Sequence, residues 1–240
     1  MPSRLVLVHG FTQTARSWDD VRALLGNGLE SIALDAPGHG SAPLTATLWA
    51  AAEQLVASGG AGTYVGYSMG ARLVLHAALA FPESVERLVL LGATPGIRDG
   101  RERASRRAGD DELAESILRD GVPAFVDRWL AGPLFAGLPP QASQREERLR
   151  NTPDGLTGSL RTCGTGTQDD LWPRLNELRM PVLVMAGALD TKFATIAEEM
   201  AGRIGANATL GLIPAAGHAA HLEQPHDFVR RLLDWLHAND

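Results

Sequence analysis

Gly66-Tyr67-Ser68-Met69-Gly70 limits this chain more than any other stretch. The pattern G-x-S-x-G stands between a short apolar run, Thr63-Tyr64-Val65, and a helical pattern from Ala71 to Ala80. A strand that gives way to a helix so abruptly must turn sharply around the serine. Glycine permits the turn, because a side chain at either place would clash. The turn pushes Ser68 out at the end of the strand with its hydroxyl exposed. It also aims the first amides of the next helix at the same spot, where developing negative charge can be held. A free serine hydroxyl is a poor nucleophile and a poor base, so the chain must supply a histidine and an acid elsewhere.

Strand and helix signals alternate on both sides of that turn. Arg4 to Val8 is a Val/Leu-rich run with a buried-strand signature. Ser17 to Leu25 reads as a helix with Trp18, Val21, Leu24 and Leu25 on one face. Ser31 to Asp35 is the next strand, Leu48 to Ser58 a helix, Thr63 to Gly66 a strand, and Val85 to Gly92 another strand. This order implies right-handed crossovers and a mostly parallel, doubly wound sheet, an α/β fold. Residues 94 to about 170 change character. They carry helical patterns, many arginines and breakers such as Ala131-Gly132-Pro133 and Thr152-Pro-Asp-Gly155, but no strand pattern. They read as a helical cap, 94–170, inserted into a sheet core made of 1–93 and 171–240. The sheet resumes at Pro181–Gly187 and Thr209–Ile213. A helix from Pro225 to His237 closes the chain, with Phe228, Leu232, Trp235 and Leu236 inward.

Composition excludes several function classes. A net charge of −6 argues against general nucleic-acid binding. No apolar stretch approaches the ~18 residues needed to span a membrane. The single cysteine, Cys163, rules out an internal disulfide and fits a reducing compartment. The chain enters its first strand at Arg4 without a signal-peptide pattern, so a cytoplasmic location is the expectation. His218-x-x-His221 reads as one catalytic and one bystander histidine rather than a metal pair. Nothing in the sequence demands an oligomeric partner.

Sites in open parallel sheets lie beyond the carboxyl ends of the strands. That rule selects His9-Gly10-Phe11 after the first strand, Ser68 after the third, Asp190 after Pro181–Gly187, and His218 after the last. In these positions His218 takes the Ser68 proton, and Asp190 fixes the histidine tautomer and stabilises its cation. The amides of Phe11 and Met69 are the expected oxyanion donors. His9 and His39 read as loop-organising residues. His221 is the rival base, but its place past the Gly217 turn suits a helix start or pocket wall. His76, His226 and His237 read as ordinary helix residues.

Five segments together resemble the α/β-hydrolase superfamily: His9-Gly-Phe11, Asp35-Ala-Pro-Gly-His-Gly-Ser41, Gly66–Arg72, Gly187–Phe193 and Ala216–Pro225. More narrowly, the chain resembles the 2-succinyl-6-hydroxy-2,4-cyclohexadiene-1-carboxylate synthases (MenH) of menaquinone biosynthesis. Three less generic places carry that narrower likeness. They are Tyr67 with Arg72, Asp190-Thr-Lys-Phe193, and a cap segment running from Pro95-Gly-Ile through Arg106 to Trp129 and Pro133-Leu-Phe135. One departure is Gly70-Ala71, where Gly-Gly is more usual. Another is the direct start at the His9-Gly-Phe11 strand, which implies a missing or reduced opening hairpin.

The resemblance implies an α/β-hydrolase fold with an inserted helical cap, no cofactor and no metal. It implies a carbon–oxygen lyase that removes pyruvate by 2,5-elimination, with Ser68 as the base. Tyr67, Arg72, Arg106 and Trp129 would hold the carboxylates and ring.

The residues themselves point toward an anionic, carboxylate-bearing small molecule. Arg72 follows Ser68 by one helical turn, on the same side of the helix start. A neutral ester has no need of a guanidinium there, whereas a carboxylate does. The alternative is an arginine paired between helix and cap. Residues 98–107 carry five arginines against Asp99 and Glu102, a local excess of +3 in an acidic chain. Most read as a solvated face, with Arg106 and Arg103 the best placed to reach a pocket. Lys192 either adds to a positive rim or pairs with an acid, and Trp129 is core or pocket wall. Two other functions share the same residues: a serine hydrolase, either carboxylesterase or carbon–carbon bond hydrolase, and a non-catalytic binding protein.

Overall fold

The computed structural model describes residues 4–239. The strands β1 (Leu5–Val8), β2 (Ser31–Leu34), β3 (Gly62–Tyr67), β4 (Val85–Leu91), β5 (Val182–Gly187) and β6 (Ala208–Ile213) form one sheet in the order β2-β1-β3-β4-β5-β6. Every neighbouring pair is parallel. The sequence of β1 explains why the sheet is covered twice. Val6 and Val8 point to one face and Leu5 and Leu7 to the other, and all four are fully buried.

Helices α2 (Leu48–Gly59) and α3 (Met69–Ala80) cover the first face, and α1 (Asp19–Leu25) lies on the second. Between β4 and β5 no strand forms among the described residues. That segment holds α4 (Gly100–Leu130), α5 (Arg145–Arg148) and α6 (Pro153–Cys163). Asp99 caps α4 by accepting from the amides of Arg101 and Glu102. The helix breaks at Gly121, whose φ of 79° only glycine adopts readily, and Pro123 opens the second piece. The two pieces pack on α6 through a small apolar core of Ala114, Ile117, Phe125, Val126, Leu156 and Leu160. Arg98 ties the start of this segment to the sheet layer. Its guanidinium lies 3.8 Å over the Trp172 ring and bonds Glu199.

After β5 comes α7 (Thr191–Ile204) on the first face, then α8 (Ala220–Glu223) and α9 (Pro225–Ala238), which joins α1 on the second. Phe228, Leu232, Trp235 and Leu236 of α9 are buried as the periodicity requires. Burying each such side chain contributes about 1.5–3 kcal/mol. Leu24 differs from expectation. It is 37% exposed, because α1 starts only at Asp19 after a tight 3-10 turn, and this rotates Leu24 off the buried stripe of Val21 and Leu25. No helix among the described residues is long and apolar enough to cross a membrane.

Candidate active site

The parallel sheet sends the ends of β1, β3, β5 and β6 to one edge, and the site is built there. Ser68 follows β3 directly. Its backbone sits at φ 52°, ψ −108°, a strained conformation for a residue with a side chain. The neighbouring glycines make it possible. A Cβ on Gly66 would collide with the backbone of Gly70 and Ala71, and one on Gly70 with the Val8 carbonyl. The Ser68 amide anchors the turn on the Leu91 carbonyl at 2.8 Å. Met69 opens α3, so its amide lies in the first turn and has no carbonyl one turn behind it.

Asp190 follows β5 and caps α7. Its Oδ1 accepts from the Phe193 amide at 3.2 Å, which orients the carboxylate. Oδ2 then accepts from His218 Nδ1 at 2.8 Å. A carboxylate can only accept when ionised, so Nδ1 carries the proton and Nε2 is the free acceptor. The Ser68 hydroxyl lies 3.0 Å from that Nε2. Ser68, His218 and Asp190 therefore form one continuous hydrogen-bonded chain. The His218 loop is held from behind by Glu223, whose carboxylate accepts from the amides of Gly217 at 2.7 Å and Ala219 at 3.1 Å. Gly92, at φ 60°, lets the His218 ring approach, since a Cβ there would stand 3.1 Å from it.

This hydrogen-bonded triad opens onto a cavity of about 220 Å³ between the sheet edge and the helices that lie between β4 and β5. Phe11, Ser68, Met69, Arg72, Arg106, Trp129, Asp190, Lys192 and His218 all line it. Of the residues expected at the pocket, Tyr67 and Arg103 stand apart, and Tyr67 lies behind the serine. Its ring is 2% exposed and packs against His221 at 4.3 Å and His218 at 5.4 Å, behind the serine rather than on the cavity wall. The β-strand alternation explains this, because Tyr67 shares the face of Val65 while Ser68 leaves the strand. Burial raises its phenol above the usual tyrosine range.

The cations differ in how they are held. Arg72 is 7% exposed and donates to the Cys163 carbonyl of α6 at 2.7 Å. It has no carboxylate within ion-pair distance among the described residues. Burial brings its guanidinium down to about 10, so it stays charged at neutral pH. Arg106 bonds Asp110 at 2.8 Å, and the buried Asp110 also accepts from the Gly166 amide. Lys192 lies 5.9 Å from the Phe193 ring on the exposed rim. Arg103 donates to the Ile97 carbonyl and is not on the wall. Trp129 stacks on Phe125 and meets Phe11 edge-on at 5.6 Å.

Both loop histidines hold backbone. His9 Nε2 accepts from the Ala36 amide at 2.9 Å, and His39 Nε2 from the Thr12 amide at 3.2 Å. His221 is fully buried between Trp18 and Tyr67, so it is a packing residue and not a second base.

A sequence profile of the alpha/beta hydrolase family matches residues 5–231. The chain belongs to the alpha/beta hydrolase family. Within this family it resembles the MenH enzymes. A Bacillus subtilis (strain 168) protein with the provisional name of a 2-succinyl-6-hydroxy-2,4-cyclohexadiene-1-carboxylate synthase is 36% identical, over 97% of this chain and 89% of its own length. A Salmonella paratyphi C protein named as that synthase is 32% identical, over 97% of this chain and 93% of its own length. The solved structure of MenH from S. aureus superposes with a TM-score of 0.92 at 31% identity, covering 99% of this chain and 94% of that one. This α/β-hydrolase is thus a MenH-like enzyme of the superfamily.

The sequence reading missed several wall and support residues. Leu134, Ser159, Cys163 and Thr165 line the cavity from the segment between β4 and β5, and no spacing signal marks them. Glu223, five residues after His218, was findable as an acid on the short helix following the histidine.

Proposed function

We propose that this enzyme eliminates pyruvate from 2-succinyl-5-enolpyruvyl-6-hydroxy-3-cyclohexene-1-carboxylate, giving 2-succinyl-6-hydroxy-2,4-cyclohexadiene-1-carboxylate. The observation that carries the reading is Arg72. A buried guanidinium without a carboxylate partner among the described residues lies in the same cavity as the assembled Ser68–His218–Asp190 chain. A carboxylate-bearing substrate would supply the missing partner and gain a charge-assisted, bidentate bond. Lys192 adds positive charge on the same wall, where Arg106 is paired with Asp110.

The chemistry follows from this placement. His218 Nε2 accepts the Ser68 proton, and Asp190 stabilises the resulting imidazolium. The Ser68 oxygen takes a proton from the ring carbon. The released electron pair shifts the ring double bond, and the ring carbon–oxygen bond to the enolpyruvyl group breaks. Pyruvate leaves as its enolate and takes a proton. The amides of Phe11 and Met69 hold the negative charge that develops on the substrate oxygen during proton removal. The cap confines the reaction in a small volume, with Trp129 and Phe11 as its apolar wall.

The test is pyruvate release from that substrate, made in situ, for wild type and Ser68→Ala, with p-nitrophenyl acetate hydrolysis alongside. Fast serine-dependent release with weak ester cleavage supports the lyase. Brisk ester cleavage without pyruvate release would identify a serine hydrolase, whose chemistry the same triad and amides also serve.

A further inference from the structure

The loop after β1 carries the Phe11 amide, and its conformation is set by two buried side chains from the cap. Within the loop, the Gly10 carbonyl accepts from His9 Nδ1 at 2.8 Å and from the Gln13 amide at 3.2 Å. The Gly10 carbonyl and the Phe11 N–H share one planar peptide and point in opposite directions. Pinning the carbonyl therefore fixes one side of the Phe11 donor.

The other side depends on Thr12. It has a φ of 69°, a left-handed conformation that a β-branched residue rarely adopts. Three groups hold it there. Its amide donates to His39, its carbonyl accepts from Asn151 Nδ2 at 2.6 Å, and its hydroxyl accepts from Arg148 Nη1. Arg148 also reaches the Phe11 carbonyl at 3.4 Å and the Ser143 carbonyl at 2.8 Å. Asn151 Oδ1 accepts from the Gly40 amide at 2.9 Å, tying in the loop after β2.

Arg148 is 1% exposed and Asn151 5%, and neither lines the cavity. Arg148 has no carboxylate within ion-pair distance among the described residues. A guanidinium buried in that way is costly unless hydrogen bonds make up for its lost hydration. Here those bonds end on the strained residue beside the oxyanion donor.

We propose that Arg148 and Asn151 are positioning residues that lock Thr12 in its left-handed state and thereby aim the Phe11 amide at the reacting oxygen. The cap, besides enclosing substrate, then sets the geometry of the oxyanion site. The inference rests on the reading of Phe11 as an oxyanion donor.

The experiment is the rate constant for phosphonylation of Ser68 by a fluorophosphonate, followed by intact-protein mass spectrometry. Phosphonylation uses the oxyanion donors whatever the natural substrate is. Arg148→Lys and Asn151→Ala should react at least about 10-fold more slowly than wild type, since a misplacement of ~1 Å can cost about 100-fold. Leu232→Ala, which opens a cavity in α9 far from the loop, serves as the control for lost stability. It should lower the melting temperature and leave labelling within about 2-fold of wild type. In pyruvate release, Arg148→Lys and Asn151→Ala should lower kcat and leave KM nearly unchanged. If Arg148→Lys does not fold, Thr12→Val removes only the hydroxyl acceptor and carries the same expectation.

Folded clamp variants that label at the wild-type rate, or that raise KM at constant kcat, would overturn the proposal. So would a wild type that does not label at all. A wild type that labels fast but releases no pyruvate would sink the lyase reading alone, with the clamp still judged by its labelling rates.

Discussion

Mild acid should destabilise this protein before most of its carboxylates are titrated. His9, His39, His76 and His221 have no exposed surface. Burial is the first cause of their depressed basicity, taking His9 and His76 to about 4 and His39 and His221 to about 3. For two of them the neutral form is also required by geometry. His9 Nε2 and His39 Nε2 each accept a backbone N–H, so a proton there displaces a loop bond. The folded values lie below the unfolded ~6.5, so the unfolded chain binds more protons between about pH 4 and 6.5. The stability of the neutral histidines is fully present above about 6.5 and is lost as pH falls through that window. Going from pH 7.5 to 5.5 costs about 1.4 kcal/mol per histidine, or about 5–6 kcal/mol for the set. At about 2–4 °C per kcal/mol for a domain of this size, the melting temperature should drop by roughly 10–20 °C. Urea unfolding and calorimetry at pH 7.5, 6.5 and 5.5 measure this directly. His76→Leu removes one titrating group, whose Nε2 has no partner among the described residues, and should flatten the slope by about a quarter. A wild-type melting temperature constant within about 2 °C across this range would refute the reasoning.

Other outcomes follow from single contacts. Arg72→Met should reduce kcat/KM for a carboxylate substrate by about 10- to 100-fold, the worth of a charged hydrogen bond, with ester cleavage much less affected. Asp190→Asn keeps an acceptor for the Phe193 amide but loses the charge facing His218, so activity should fall by about 10,000-fold while the melting temperature barely moves. Gly70→Ala drives a methyl into the Val8 carbonyl and should destabilise the fold by at least about 1–3 kcal/mol, measured by urea unfolding.

The strands and the reactive turn were legible because local physics dictates them. β1 and β5 are short apolar runs without alternation, which only a sheet covered on both faces produces. Ser68, Asp190 and His218 each follow a strand end, so the parallel sheet gathers them at one edge. The helix α7 left a weaker mark, although its cap is Asp190 itself. The placement of Tyr67 was not legible. The family resemblance implied a place on the cavity, whereas strand alternation turned the ring to the opposite face. Arg148 and Asn151 were equally hidden. Their partners lie 136 and 139 residues away, and one arginine among many gives no sign that it will be the buried one. Arg106 and Arg103 illustrate the same limit. They are three residues apart on one helix, yet one lines the cavity and the other bonds a backbone carbonyl.

The most direct test of the central claim is pyruvate release from substrate deuterated at the ring carbon that loses its proton, in wild type and Ser68→Ala. The account predicts serine-dependent release that slows on deuteration, with no covalent mass added to Ser68 during turnover. Release no faster than the spontaneous background, or an acyl adduct accumulating on Ser68, would contradict it.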